Sequence, residues 1–284
     1  MLGSGGRVTA SMPPVLEGRV AIFGAAGPVA VMAAESLRPH YTLRLCDVRP
    51  LAQRTVEQSA GAPLPAPVTP PHEEQLVDIT SYTQVLEAAR GMDALINCTV
   101  VRPHLEAAFL VNTIGAYHVA RAAVELGIRR IIHTGPQLVI AEHQADYWHD
   151  FDVHDDVPER PGGNLYGLSK YLGSEIMRRF AERHGLEVAA FVYAHFRPAE
   201  RPSDADGSGL YAFTTAWEDT GTPFLAALRA PSEAFERPLE LFHIASRLPH
   251  GKIGGSDKTQ RLLGWAPEHD FARLWHRPSA VRKL

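Results

Sequence analysis

The sequence predicts a doubly wound α/β fold, a parallel (Rossmann) sheet with helices on both faces and a small C-terminal lobe. Three observations predict it. Short apolar runs alternate with longer helical patterns from residue 19 to residue 191, a glycine-rich turn follows the first run, and a carboxylate ends the second.

The first expected strand is Arg19-Val20-Ala21-Ile22-Phe23. It runs into Gly24-Ala25-Ala26-Gly27-Pro28-Val29-Ala30 and a helical pattern that continues to Leu37. A strand, a glycine turn and a helix in this order make a phosphate site, because the amides that open the helix point at the ligand. Pro28 suits the first helical position but has no amide hydrogen, so Val29 carries more of the anion contact. Ala30 stands where a third glycine is usual. A second strand, Tyr41 to Leu45, ends at Cys46-Asp47. Asp47 follows the glycines by about 20 residues, the offset at which a carboxylate accepts hydrogen bonds from an adenosine ribose. A dinucleotide is therefore expected. Asp47 repels a 2′-phosphate, which favours NAD over NADP, while Arg49 two residues on works against that preference.

Residues 61–71 are rich in Pro and Ala and read as a surface connection. Leu76 to Ile79 reads as a strand end, Ser81 to Ala89 as a helix and Ala94 to Val100 as a buried strand. Ala107 to Leu126 is a long helical pattern stopped by Gly127, followed by a strand from Arg130 to Thr134. The stretch from Glu142 to Asp156 is rich in His and acids, yet no pair has the spacing of a metal site. A solvated rim loop and no metal are expected there. A helix from Tyr166 to His184 and a strand from Leu186 to Phe191 follow. Beyond them the pattern is less regular: a turn-rich stretch from Pro198 to Gly209 expected over the active-site mouth, a partly helical 213–229, a strand within 239–246, and a short helix ending at Gly264. The chain thus divides into a mobile lead-in at 1–17, an NAD-binding domain at 18–197 and a mostly small substrate lobe at 198–284.

Composition bounds the function. With 284 residues, 45% hydrophobic and 21% charged, the chain buries an ordinary soluble core. A formal charge of −4 without a basic block argues against nucleic acid. No apolar run approaches the ~20 residues needed to span a bilayer, and Met1 to Glu17 has no secretory pattern. Cys46 and Cys98 both lie in apolar runs, which fits reduced, buried thiols in a cytoplasmic protein.

Tyr166-Gly167-Leu168-Ser169-Lys170 reads either as part of an ordinary amphipathic helix or as a pair for proton transfer. On a helix, Tyr166 and Lys170 share one face, one turn apart. A phenol ionises near pH 10, and a neighbouring ammonium lowers that value, so the pair can exchange a proton with a hydroxyl or carbonyl.

In this order the motifs resemble the extended short-chain dehydrogenase/reductase family, the NAD-dependent epimerases, dehydratases and sugar dehydrogenases, from about Arg19 to about Phe271. The resemblance implies that Gly24, Ala26, Gly27, Pro28 and Val29 form the cofactor loop, with Asp47 and Arg49 by the ribose. It places Asp78 and Ile79 by the adenine, and Cys98, at the end of the fourth strand, is expected against the cofactor. Asn112, opening Asn112-Thr113-Ile114-Gly115-Ala116-Tyr117, is similar to the asparagine that holds the active site. Tyr166 and Lys170 match the catalytic pair, and Arg261-Leu262-Leu263-Gly264-Trp265-Ala266-Pro267 a common closing motif. Within the family, residues 43–50, residues 165–170 and Trp217-Glu218-Asp219 are most similar to uronate dehydrogenases, which oxidise the anomeric carbon of a sugar acid with NAD. Homodimers built from two helices are common in the family, here those from Ala107 and from Tyr166.

One departure stands out. The family's Ser or Thr that bonds the reacting oxygen falls on Pro136, which has neither hydroxyl nor amide hydrogen. Thr134 is the nearest hydroxyl, and His133 and His195 are the polar alternatives. Gln137 and Leu138 replace a dehydratase's Asp-Glu pair, and the segment Val192-Tyr193-Ala194-His195-Phe196 lacks an arginine common after the sixth strand. Three readings follow: an NAD-dependent sugar oxidoreductase, a nucleotide-sugar epimerase, or an NAD-binding sensor without chemistry.

Overall fold

The computed structural model describes residues 17–56, 61–102, 104–136, 159–200, 214–247 and 255–271. Its strands are β1 (Arg19–Phe23), β2 (Thr42–Asp47), β3 (Glu73–Leu76), β4 (Ala94–Asn97), β5 (Arg130–Pro136), β6 (Glu187–Tyr193), β7 (His195–Arg197), β8 (Thr214–Ala216) and β9 (Leu239–His243). Seven of them form one parallel sheet in the order β3-β2-β1-β4-β5-β6-β9, with β7 and β8 paired separately. The order reverses between β1 and β4, and the crevice at their C-terminal ends is where such folds bind ligands.

Both faces are covered, which is why the central strands are apolar throughout. On one face Ile22, Leu43, Ile96, Ile132 and Phe191 pack against α1 (Pro28–Leu37) and, further along the chain, a helix at Thr222–Arg229. On the other, Phe23, Leu95, Ile131 and Val188 meet α2 (Tyr82–Ala89) and two longer helices, described next. α3 (Leu105–Phe109) passes through a wide π turn, Leu110–Ile114, into α4 (Gly115–Leu126). α5 (Leu165–His184) packs beside it, and Ala116, Ala120 and Ala123 keep that layer thin.

Three elements differ from expectation. The edge strand β3 covers 73–76 rather than 76–79, because its Glu-Glu-Gln-Leu is polar and mostly exposed. Charged edges resist pairing with other chains but erase the apolar pattern by which strands are recognised. β4 ends at Asn97, and Cys98 to Val100 leaves the sheet. β5 extends to Pro136; beyond His133 it pairs only with β6, so a missing amide hydrogen is tolerated there.

Residues beyond 197 contribute to the same body. β9 is the seventh strand, while α6 (Trp217–Thr220) and α7 (Thr222–Arg229) lie on α1. A Cβ at Gly221 would stand 2.0 Å from the Met32 carbonyl oxygen, so the two backbones touch. The buried Asp219 carboxylate accepts from the Ser246 hydroxyl at 2.6 Å and from the Glu268 and His269 amides at 2.9 and 3.2 Å, with His269 Nδ1 at 3.0 Å. Trp265 donates to Thr222 Oγ1 at 2.8 Å, so the closing motif is a brace on α7. At the end of α8 (Gly255–Lys258), the Lys258 ammonium pairs with buried Glu240 at 2.7 Å.

Two buried histidines set an acid limit. Desolvation, helped by Lys258, lowers His243 from 6.5 to about 4, and burial with Lys170 nearby holds His133 well below its usual value. The unfolded chain takes up these protons first, so stability falls as pH drops from about 6.5 toward 4. For His243 alone linkage makes this roughly 3 kcal/mol. Urea midpoints should fall between pH 7 and pH 5.5, before most carboxylates titrate; a flat profile over that window would contradict it.

Candidate functional site

The glycine loop closes the crevice from the β1 side. Gly24 has φ +79°, and a Cβ there would lie 2.8 Å from Thr99 N and 2.9 Å from the Cys98 carbonyl carbon, so only glycine fits against the end of β4. Gly24 and Ala25 donate their amides to the Cys46 carbonyl at 2.8 and 3.0 Å. Ala26 donates its own to Asp47 Oδ2 at 2.9 Å, which ties the carboxylate to the loop. Pro28 occupies the first turn of α1 as expected, after Gly27 in an extended conformation. The amides of Val29 and Ala30 then have no intrahelical acceptor. A cradle that a Cβ would fill, two open helix-start amides and a carboxylate at the end of β2 fit a dinucleotide. These residues would hold NAD by its phosphates and adenosine ribose.

Around that loop, Arg54 donates to the Ala26 carbonyl at 3.4 Å, a contact not foreseen from sequence, while Arg49 is exposed. Asp78 Oδ1 accepts from the Thr80 amide and hydroxyl at 2.9 and 2.7 Å, fixing the turn after β3. Ile79 is seated on α4: its carbonyl lies 2.9 Å from His118 Nδ1, and its side chain fills the space beside Gly115. Cys98 is fully enclosed, and burial pushes its thiol up to about 12, which removes it as a nucleophile.

The frame around Tyr166 and Lys170 is built by α5 and the π turn. Asn164 caps α5, its Oδ1 accepting from the Tyr166 amide at 2.9 Å and the Gly167 amide at 3.3 Å. This orients the turn that carries Tyr166. Lys170, one turn on and only 2% exposed, donates from Nζ to the Thr99 carbonyl at 3.2 Å. Desolvation is the main reason its pKa falls to about 8; Arg102 lowers it further, and Cys98 opposes the shift. The ammonium is thus still mostly charged at neutral pH.

The π turn places Asn112 1% exposed between α5 and the chain after β4. Asn112 Nδ2 donates to Ser169 Oγ at 3.0 Å and to the Val101 carbonyl at 3.2 Å, and Oδ1 accepts from the Val101 amide at 3.4 Å. Gly173 makes the approach possible, since a Cβ there would stand 2.4 Å from the Asn112 carbonyl oxygen. Ser169 in turn donates to the Tyr166 carbonyl at 3.0 Å. Widened turns recur at functional sites because they re-aim one side chain.

Thr134 is turned elsewhere: its hydroxyl donates to the Asn97 carbonyl at 3.2 Å, within the sheet. It shares a face with Ile132, whereas His133 shares one with Ile131. Both His133 ring nitrogens are buried with no hydrogen-bond partner among the described residues. His195 lies in β7. Among the described residues nothing hydrogen-bonds the Tyr166 hydroxyl, while the Arg102 guanidinium lies over its ring, 5.3 Å from the centroid. Trp217 stacks on Phe196 at 4.4 Å and 4°, so with Asp219 it braces the body. No group of three or more metal-binding side chains occurs among the described residues, and residues 137–158, with the His- and Asp-rich stretch, lie outside them, as do 201–213.

The family model described as NAD dependent epimerase/dehydratase family matches residues 20–213, more than half of the chain. The chain belongs to that family. A uronate dehydrogenase of Pseudomonas syringae pv. tomato is 29% identical over 177 residues, covering 61% of this chain and 57% of the relative. The match thus spans less than two thirds of that relative's length. An NAD-dependent glucose-6-phosphate dehydrogenase of Haloferax volcanii is 26% identical over 267 residues, covering 90% of this chain and 95% of the relative. Among solved structures of the family's fold, uronate dehydrogenase from Agrobacterium tumefaciens aligns with a TM-score of 0.70 at 25% identity, covering 93% of this chain and 92% of that one. The seven-stranded parallel sheet agrees with the family's Rossmann-like architecture.

Proposed function

We propose that the chain is an NAD-dependent dehydrogenase that oxidises a sugar or sugar acid. The observation that carries this is buried Lys170 one turn from Tyr166, facing the end of β4 where the glycine loop closes. NAD, when bound, supplies the hydride acceptor. Tyr166 takes the proton from the substrate hydroxyl, Lys170 favours its phenolate, and Asn112 holds Lys170's helix to the chain after β4. The relatives named uronate dehydrogenase and glucose-6-phosphate dehydrogenase support a carbohydrate substrate. The test is a screen of aldoses, uronic acids and sugar phosphates with NAD, read as NADH absorbance. At least one should turn over; none doing so would refute the proposal.

We also assign the cofactor contacts to Gly24, Ala26, Gly27, Val29 and Asp47. No described helix is long and apolar enough to cross a membrane, and Cys46 and Cys98 are buried free thiols; the latter supports a cytoplasmic setting. A homodimer through the helical length from Ala107 and through α5 is supported by Leu110 and Ile114, which lie in the π turn leading into α4 and are 42% and 37% exposed. Light scattering should give twice the chain mass for the native protein, and Leu110→Glu with Ile114→Glu should give the monomer. A native monomer would sink the assignment.

A further inference from the structure

We propose that Arg102 anchors the anionic group of the substrate, so that the site selects a sugar carrying a carboxylate or phosphate over a neutral sugar. This rests on the dehydrogenase reading above. Arg102 follows a segment held at both ends by the frame around Tyr166 and Lys170: Lys170 bonds the Thr99 carbonyl, and Asn112 bonds both the amide and carbonyl of Val101. The guanidinium is therefore registered to Tyr166, and it lies 5.3 Å from the centroid of that ring. It is exposed, and among the described residues it forms no ion pair and donates no hydrogen bond.

What sets Arg102 apart from the other exposed arginines is its place over the Tyr166 ring. The local field has the same sign. The groups that act on buried Lys170 are Cys98 and Arg102, with no carboxylate among them, and Arg102 pushes its pKa down. Among the described residues, the buried Lys170 ammonium and the exposed Arg102 guanidinium have no carboxylate partner, a pair that favours an anion. A planar guanidinium presents a fork of donors that matches carboxylate or phosphate oxygens. A substrate hydroxyl at the Tyr166 phenol places the rest of a sugar beside that ring, within reach of a charged substituent.

The experiment compares glucuronate, glucose 6-phosphate and glucose as substrates for the native protein, Arg102→Ala and Arg102→Lys. An exposed control is Arg90→Ala, far from the crevice. The native protein should prefer one of the anionic sugars, and which one distinguishes carboxylate from phosphate. Arg102→Ala should raise the KM for that anion, relative to glucose, by roughly 10- to 100-fold, the range for a lost charge-assisted contact. Arg102→Lys should recover part of the loss, and Arg90→Ala should match the native protein. Equal effects on glucose and on the anions would overturn the proposal. So would a shift in the pH profile of kcat without a change in KM, which would mean that Arg102 acts on Tyr166 instead. If no sugar is oxidised, the dehydrogenase reading fails separately. Calorimetric titration of glucuronate and glucose 6-phosphate into native and Arg102→Ala proteins then decides: loss of anion binding in the variant supports the anchor, and equal binding or none to either overturns it.

Discussion

Replacing Tyr166 with phenylalanine should lower kcat/KM by roughly 10²- to 10⁴-fold, the usual worth of a positioned acid or base. The change removes one oxygen and leaves the helix intact, because the Asn164 cap bonds the Tyr166 backbone amide rather than its side chain. Ser169 likewise bonds the carbonyl. Folding and NAD binding should therefore survive, which calorimetry and thermal melting can show beside the rate. The hydroxyl that the family resemblance places at position 136 is absent there, since Pro136 has none, and the Thr134 hydroxyl donates to the Asn97 carbonyl. A variant as fast as the native enzyme would remove Tyr166 from the chemistry.

The second large effect concerns a residue with no chemistry. In a helix interior, glycine to alanine ordinarily stabilises by about 0.5–1 kcal/mol. Gly173→Ala should do the opposite. Its Cβ would meet the Asn112 carbonyl oxygen at 2.4 Å and the Ala116 Cβ at 3.4 Å, both on a buried neighbour that cannot swing away. Overpacking of this kind costs about 1–3 kcal/mol, a fall in melting temperature of several degrees for a chain this long. Because α5 must shift off the π turn, Tyr166 and Lys170 move relative to the end of β4, and kcat should fall together with stability. A variant more stable than the native protein would show that the helices do not pack this closely.

The contrast between these two residues shows what was legible in the sequence. Tyr166, Lys170, the glycine loop and Asp47 could be singled out by local spacing, because each pattern lies within one turn or one strand–turn–helix unit. Pro28 was likewise placed correctly, since its backbone preference is its own. Gly173, the wide turn at Asn112 and Arg102 depend on which helix lies beside which, and a run such as Leu110-Val111-Asn112-Thr113-Ile114 reads as plain helix. Asn164 carried a usable signal, a capping residue just ahead of a helical pattern, but nothing tied it to Tyr166. β3 was misplaced because its residues answer to an exposed edge. Thr134 could not be assigned a face until its register with β4 was known.

The bond from Lys170 to the Thr99 carbonyl has a consequence in donor capacity. An ammonium has three hydrogens to give, and the protein claims one of them for its own backbone. Two remain, enough for one contact toward the phenol and one toward a cofactor hydroxyl, with none in reserve. That first bond also meets the chain after β4, so the lysine's aim and the crevice wall share one hydrogen. A lysine that let go of Thr99 would lose its direction, while the wall against which Gly24 rests would still be held by the two bonds that Thr99 donates to Asn97 Oδ1 at 3.1 and 2.7 Å.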